Sequence, residues 1–320
     1  FDEAPASKIE DIIKKAVEIP GTLPDLIMVG IDRMVEGSRD GLWQELLPKF
    51  ASHLPDLRAV YAPRAWNMQN YADGHGLVLS YFVTGPVLAR SASSVLPATL
   101  KASDLPDWTR ANPGRFGYAR PTTSRSGRDF LISLPYLLGD TAPSDPVNGW
   151  ERTWSFLANI GTRIGDYPLS VKPLIAGLET GSLDLTICTF GEIFAARATA
   201  KSAIRIGAFD DSHWINEAQF AAIPKQVTPQ RTLAIVDVLD FMLGQEAQAF
   251  ALHQGSLFPG SAIADVSVPP PDPSLPESTR AADSKDFTAL TENGRFVPPL
   301  FGAALQYALA RWDRQIRLKQ

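Results

Sequence analysis

Cysteine is almost absent. The 320 residues contain one, Cys188, so neither an intrachain disulfide nor a multi-cysteine zinc motif can form. Cys188 lies in the apolar run Leu183-Asp-Leu-Thr-Ile-Cys-Thr-Phe190, where it reads as a buried strand residue. A single thiol fits oxidising and reducing compartments alike. Histidine is also scarce: His53, His75, His213 and His253 stand far apart, none with a ligand partner at helical or turn spacing. No metal is expected, and each reads as a surface or loop residue. Excess basic charge is missing too, since 30 Lys and Arg face 35 Asp and Glu for a net charge of -5. No Lys/Arg stretch is interleaved with aromatics, so nucleic acid is not an expected partner. No apolar run reaches the ~20 residues of a membrane-spanning helix.

Catalytic signatures are missing as well. The chain has no P-loop, no G-x-G-x-x-G, no G-x-S-x-G elbow and no H-E-x-x-H, so neither a cofactor nor an enzymatic activity is expected. Ser212-His213 beside Asp210 and Asp211 brings triad residue types together, but triads are assembled in space and local crowding does not make one. A two-lobed α/β transferase stays open on architecture alone.

What is present is a well-mixed globular composition, 45% hydrophobic and 20% charged, in a chain long enough for two lobes. It opens on Phe1 without a methionine or signal peptide, which reads as processed or truncated and says nothing about targeting. Ser7-Lys-Ile-Glu10 is a capping box, and Ile9, Ile12, Ile13, Ala16 and Val17 follow at helical spacing until Pro20-Gly21. Asp25-Leu-Ile-Met-Val-Gly-Ile31 then reads as a buried strand. The alternation recurs with a helix over Lys172 to Glu179, a strand over Leu183 to Thr189, a helix from Glu192 and a strand from Ala203 to Phe209. Gln219-Phe-Ala-Ala-Ile223 reads as a further strand. After it, Thr228 caps a long helix with Pro229 at its first position, buried through Leu233, Val236, Leu239, Phe241 and Leu243 and ended by Gly255. Val268-Pro-Pro-Pro-Asp-Pro-Ser-Leu-Pro276 is a surface connection, and Leu300 to Leu318 is a C-terminal helix with Trp312 and a basic end.

The most suggestive polar stretch is Pro121-Thr-Thr-Ser-Arg-Ser-Gly-Arg128, which runs into the apolar Phe130-Leu-Ile-Ser-Leu134. Hydroxyls, a glycine and two arginines at a helix start suit a carboxylate or phosphate. Equally, Ser124 could cap the helix with both arginines solvated. Aromatics in Leu79-Ser-Tyr-Phe82, and Trp214 near Glu217, could wall a pocket or fill a core.

Five segments in order give the chain a family likeness. Asn112-Pro-Gly-Arg-Phe-Gly-Tyr118, the stretch from Pro121 to Leu131, Asp145 to Trp154 with Gly149-Trp150-Glu-Arg-Thr-Trp154, Ala222-Ile-Pro-Lys225 and Leu257-Phe-Pro-Gly260 resemble the extracellular solute-binding proteins of ABC importers, most of all the polyamine (spermidine/putrescine) receptor branch. The likeness runs from about Pro24 to the C-terminus. It implies a type II periplasmic-binding-protein fold, with two α/β lobes joined by hinge strands and a small-molecule ligand held in the cleft. Lobe I would comprise 1–88 plus 242–320 and lobe II 89–241, with crossings near Thr84 to Ala89 and Ala208 to Ala222. The family's first strand and helix would precede the segment matching Ser7 to Gly21; either they are not included in this sequence or the lobe differs at its first strand.

The resemblance further implies a periplasmic location, an ABC permease in the inner membrane as partner, and capture by closure. Carried over by position, the ligand residues would be Ser80, Tyr81, Phe82, Arg125, Arg128, Thr189, Phe190, Trp214, Glu217 and Gln219. One departure matters. Polyamine receptors place carboxylates near the positions of Arg125 and Arg128, and a guanidinium facing an ammonium is strongly unfavourable. The expected ligand is therefore a carboxylate or zwitterion, such as an amino acid or 4-aminobutyrate, with the polyamine as the alternative.

Overall fold

The computed structural model describes residue 13 and residues 23–199, 204–253, 260–264, 266, 289–291 and 294–318. Its strands are β1 (Ile27–Gly30), β2 (Gly76–Val83), β3 (Val87–Arg90), β4 (Thr99–Leu100), β5 (Phe116–Gly117), β6 (Leu185–Cys188), β7 (Arg205–Phe209), β8 (His213–Ala222) and β9 (Arg295–Val297). Its helices are α1 (Ile31–Arg39), α2 (Leu57–Val60), α3 (Pro63–Gln69), α4 (Leu105–Ala111), α5 (Arg125–Leu137), α6 (Glu151–Gly161), α7 (Lys172–Thr180), α8 (Phe190–Thr199), α9 (Pro229–Met242), α10 (Gln245–His253) and α11 (Gly302–Trp312). Ile13 is helical and buried. The capping box at Ser7, the stop at Pro20-Gly21, Gly255 and the proline-rich connection lie outside the described residues.

The chain divides into two compact units. Unit 1 is Phe1–Phe82 with Glu217–Asp272, and unit 2 is Val83–Asn216 with Pro273–Gln320. This differs from the division implied by the family likeness: residues 217–241 fall with the N-terminal segment, and 83–88 and 273–320 with the middle one. Strand pairing and packing explain the two larger differences. The second half of β8 is zipped to β1, from Ile27↔Ala222 to Gly30↔Gln219. The apolar face of α11 is buried in the core of unit 2.

Unit 1 is built on β1, β8 and β2, in that order across the sheet. Gln44 ties α9 to the rest of the unit: its Nε2 donates to the Val227 carbonyl at 2.7 Å, and its Oε1 accepts from Thr232 Oγ1 at 3.1 Å. Buried Gln248 on α10 serves β2 in the same way. Its Nε2 reaches the Leu79 carbonyl at 3.2 Å, while its Oε1 accepts from Ser261 Oγ at 2.7 Å and Ala262 N–H at 3.0 Å. The helix expected to run on to Gly255 stops at Met242, and α10 starts after Gly244. The break changes the buried face. Val236, Leu239 and Leu243 are core, whereas Leu233 and Phe241 are exposed.

Unit 2 holds a five-stranded sheet in the order β4-β7-β3-β6-β5. β3 is antiparallel to both neighbours, and β4 and β5 pair parallel to β7 and β6. β9 pairs parallel to the first half of β8. Its core is aromatic: the Tyr118 ring lies 5.0 Å from those of Phe130 and Tyr167, and Tyr167 lies 5.0 Å from Trp312. Trp312 Nε1 donates to the Tyr118 hydroxyl at 3.0 Å, satisfying an indole N–H that burial would otherwise penalise. Edge-on rings at this spacing add to their area burial.

Candidate functional site

The start of α5 decides what the two arginines can do. Ser124 has the extended backbone of an N-cap, with φ -117° and ψ 136°, but its side chain bonds no helix N–H. Its Oγ instead lies 2.9 Å from Ser126 Oγ. The first turn holds no acid, so the positive end of the helix dipole has no local counter-charge. Arg125 is turned along its own helix, its Nε 3.4 Å from Oδ1 of Asp129, which is 1% exposed. Arg128 differs. It is half-buried, its Nε is shielded from solvent, and its guanidinium makes no hydrogen bond or ion pair among the described residues. Two residues treated alike on sequence thus separate into an intrahelical partner and an uncommitted donor.

The other expected ligand residues of unit 2 are mostly structural. Thr189 forms a capping box with Glu192 at the start of α8, which engages its hydroxyl. Phe190 is 1% exposed and packs on Phe194 and Trp214, at ring distances of 5.9 and 5.2 Å. Trp214 is fully buried, and a side chain at Gly294 would collide with its indole. Both rings are core, because the strand that carries Trp214 begins at His213 rather than at Gln219.

That longer strand brings in a residue the sequence reading missed. Trp214 Nε1 and Asn216 Oδ1 are both buried without a hydrogen-bond partner among the described residues, and alternate residues of a strand share a face. An orphaned donor and acceptor on one face call for a partner group. Extending the strand pattern back from Gln219 would have found Asn216. His213 also departs from expectation: it is buried rather than surface-exposed. Its ring stacks on Tyr136 at 5.3 Å and 22°, and its Nδ1 lies 2.9 Å from the Asp211 carbonyl. Burial holds its pKa below the ordinary value.

In unit 1 the remaining five fall on adjacent strands. Ser80, Tyr81 and Phe82 end the unit's part of β2, and Glu217 and Gln219 begin its part of β8. Ser80 is buried and bridges Ser261, while Tyr81 and Phe82 are half-buried. Gly260, from the Leu-Phe-Pro-Gly segment, lies flat against Tyr81, so that a Cβ there would sit 2.6 Å from the Tyr81 carbonyl oxygen and 2.8 Å from ring Cζ. Only glycine fits. Glu217 is 8% exposed, and half-buried Gln219 pairs with Gly30. Among the described residues no three His, Cys, Asp or Glu side chains gather as a metal site, and no helix is long and apolar enough to cross a membrane.

No protein-family model matches the chain, and no curated protein sequence matches it. Solved structures do. An ABC transporter structure from Clostridium perfringens superposes with a TM-score of 0.71 at 12% identity, over 98% of this chain and 88% of that one. The spermidine/putrescine substrate-binding protein PotD of Streptococcus pneumoniae, solved with calcium and HEPES, gives 0.67 at 16% identity over 99% and 89%. The periplasmic binding protein AfuA of Actinobacillus pleuropneumoniae, with fructose-6-phosphate bound, gives 0.58 at 13% over 98% and 88%. The chain has the mixed α/β, type II periplasmic-binding-protein fold that these structures share.

Proposed function

We propose that this chain is the solute-binding component of an ABC-type uptake system, working in the periplasm and delivering to an inner-membrane permease. Its ligand is a small carboxylate or zwitterion, such as an amino acid or an ω-amino acid like 4-aminobutyrate. The observation that carries the ligand class is Arg128, a half-buried guanidinium with no partner among the described residues at a helix start that lacks an acid. Desolvating a charge without a partner is costly, and a carboxylate offsets that cost through short, charge-assisted bonds. Buried Glu217 in unit 1 supplies the counterpart for an amine, and the Asn216 amide in unit 2 supplies a neutral contact. The fold supports the transport role. Of the similar proteins described above, one is named for the cations spermidine and putrescine and another holds a phosphorylated sugar; the charge on α5 favours an anionic group.

Binding acts by population shift, since the ligand stabilises the state for which it has the higher affinity, and no bond is made or broken. Thermal-shift and calorimetric titrations with 4-aminobutyrate, α-amino acids, putrescine and sugar phosphates test the reading. A ligand at a hundred times its Kd adds ~2.7 kcal/mol, and Arg128→Ala should weaken a carboxylate ligand about tenfold or more. Stabilisation by putrescine alone sinks the ligand class and leaves the transport role. Stabilisation by sugar phosphates alone keeps Arg128 and overturns the amino acid.

A further inference from the structure

Unit 1 contains a cavity of about 520 Å³ where the end of α9 meets the start of α10. None of the ten ligand residues discussed above lines it. Its lining residue Ile263 bridges antiparallel to Tyr61, and Ala264 N–H donates to the Val60 carbonyl at 2.9 Å. Val60, Leu243 and Ile263 give it apolar walls, and Phe241, Asp240 and Glu246 complete the lining.

Two features of this corner are costly for the isolated chain. Phe241 is 65% exposed; Val238, three residues earlier on the same face of α9, is 50% exposed, and Phe250 on α10 is 66% exposed; exposed apolar surface of this kind marks interaction sites. Asp240 lies in the last turn of α9, which holds no basic residue. A carboxylate there faces the negative end of the helix dipole and is disfavoured. Glu246, in the first turn of α10 where the helix dipole favours an acid, adds a second negative charge to the lining, and neither carboxylate is ion-paired among the described residues. A cationic, apolar occupant relieves both costs.

We infer that the α9–α10 corner is a docking surface for a partner protein, and that the docking segment presents one large apolar side chain flanked by lysine or arginine. The apolar side chain enters between Val60, Leu243 and Ile263 and covers Phe241, while the flanking cations meet Asp240 and Glu246. The apolar surface outside the cavity favours a protein over a small amine, which would leave it exposed. The inference rests on charge complementarity at this corner and is independent of which solute the protein carries.

The test is a backbone-amide NMR titration of the full chain with acetyl-Lys-Phe-Lys-amide, acetyl-Glu-Phe-Glu-amide and acetyl-Lys-Ala-Lys-amide. The expected result is a saturable shift of the Val60, Leu243 and Ile263 amides with the Lys-Phe-Lys peptide. Both controls should bind at least about threefold more weakly, and Asp240→Asn combined with Glu246→Gln should weaken the peptide by a similar factor. No shift at these amides, or an acidic peptide that binds as well, overturns the inference. So does 2-phenylethylamine matching the peptide, which makes this a small-molecule site. A dimer in sedimentation that Phe241→Ser dissolves makes the occupant a second copy and also overturns it.

Discussion

Thr189 and Glu192 satisfy each other's backbone: the Thr189 N–H donates to Glu192 Oε2 at 2.8 Å, and the Glu192 N–H donates to Thr189 Oγ1 at 3.1 Å. The pair supplies two of the donors that the start of α8 would leave orphaned. Thr189→Ala and Glu192→Ala should each cost about 1 kcal/mol in chemical denaturation, and the double variant should cost less than the sum. Strict additivity would show that the two bonds do not act as a unit.

Gly127 reverses the ordinary helix ranking. It lies inside α5, where alanine is normally favoured by about 1 kcal/mol, yet a Cβ there would collide with the Ala119 carbonyl. Backbone cannot yield as a flexible side chain can. Gly127→Ala should therefore destabilise by about 2 kcal/mol, within the usual range for overpacking, read as a lower denaturation midpoint with an unchanged slope. A neutral or stabilising result would mean that the α5 start moves easily, and would weaken its role in holding Arg128.

Asp140 caps α6 from outside the helix. Its carboxylate accepts from the N–H groups of Arg152 at 2.8 Å and Thr153 at 3.0 Å, and from Thr153 Oγ1 at 2.6 Å. Asp140→Ala leaves these donors without that acceptor and should cost about 1–2 kcal/mol, with Asp140→Asn costing less because its amide oxygen still accepts. Equal losses for both would point to the charge rather than the hydrogen bonds.

His213 gives a pH signature. Burial lowers its pKa below the ordinary 6.5, so as pH falls past that value the unfolded chain takes up a proton that the folded chain does not. The stability held by neutral His213 is complete above the unfolded pKa and is lost as pH falls towards the lowered folded one. Asp145 and Asp313 are shifted below 3.8, so their losses come in a more acid window. His213→Gln should flatten the stability profile just below pH 6.5 and leave the more acid limb in place. An unchanged profile would assign that slope to other groups.

How much was legible depended on the range of the cause. β1, β6, β7, α7 and α11 follow local periodicity and punctuation, and all are visible in the chain. Burial of Cys188 follows from its place in β6. The break at Gly244 was not legible, because the apolar residues run on either side of it and only packing shows which are covered. Trp214 and Phe190 could not be sorted into pocket or core, since that depends on each other and on Gly294, far apart in the chain. Arg125 and Arg128 look equivalent in a string. They differ because Asp129 is four residues from one, the spacing that brings helix side chains together, and only one from the other.

The three crossings, at 82/83, 216/217 and 272/273, have a consequence for synthesis. The aromatic core of unit 2 includes Trp312, which is made 194 residues after the Tyr118 whose hydroxyl it meets. Until it arrives, Tyr118 and Tyr167 lack a wall, so that core cannot close on the middle segment alone. Neither unit corresponds to one continuous stretch of message. Truncation after Asp272 should therefore unfold the middle of the protein rather than trim its edge.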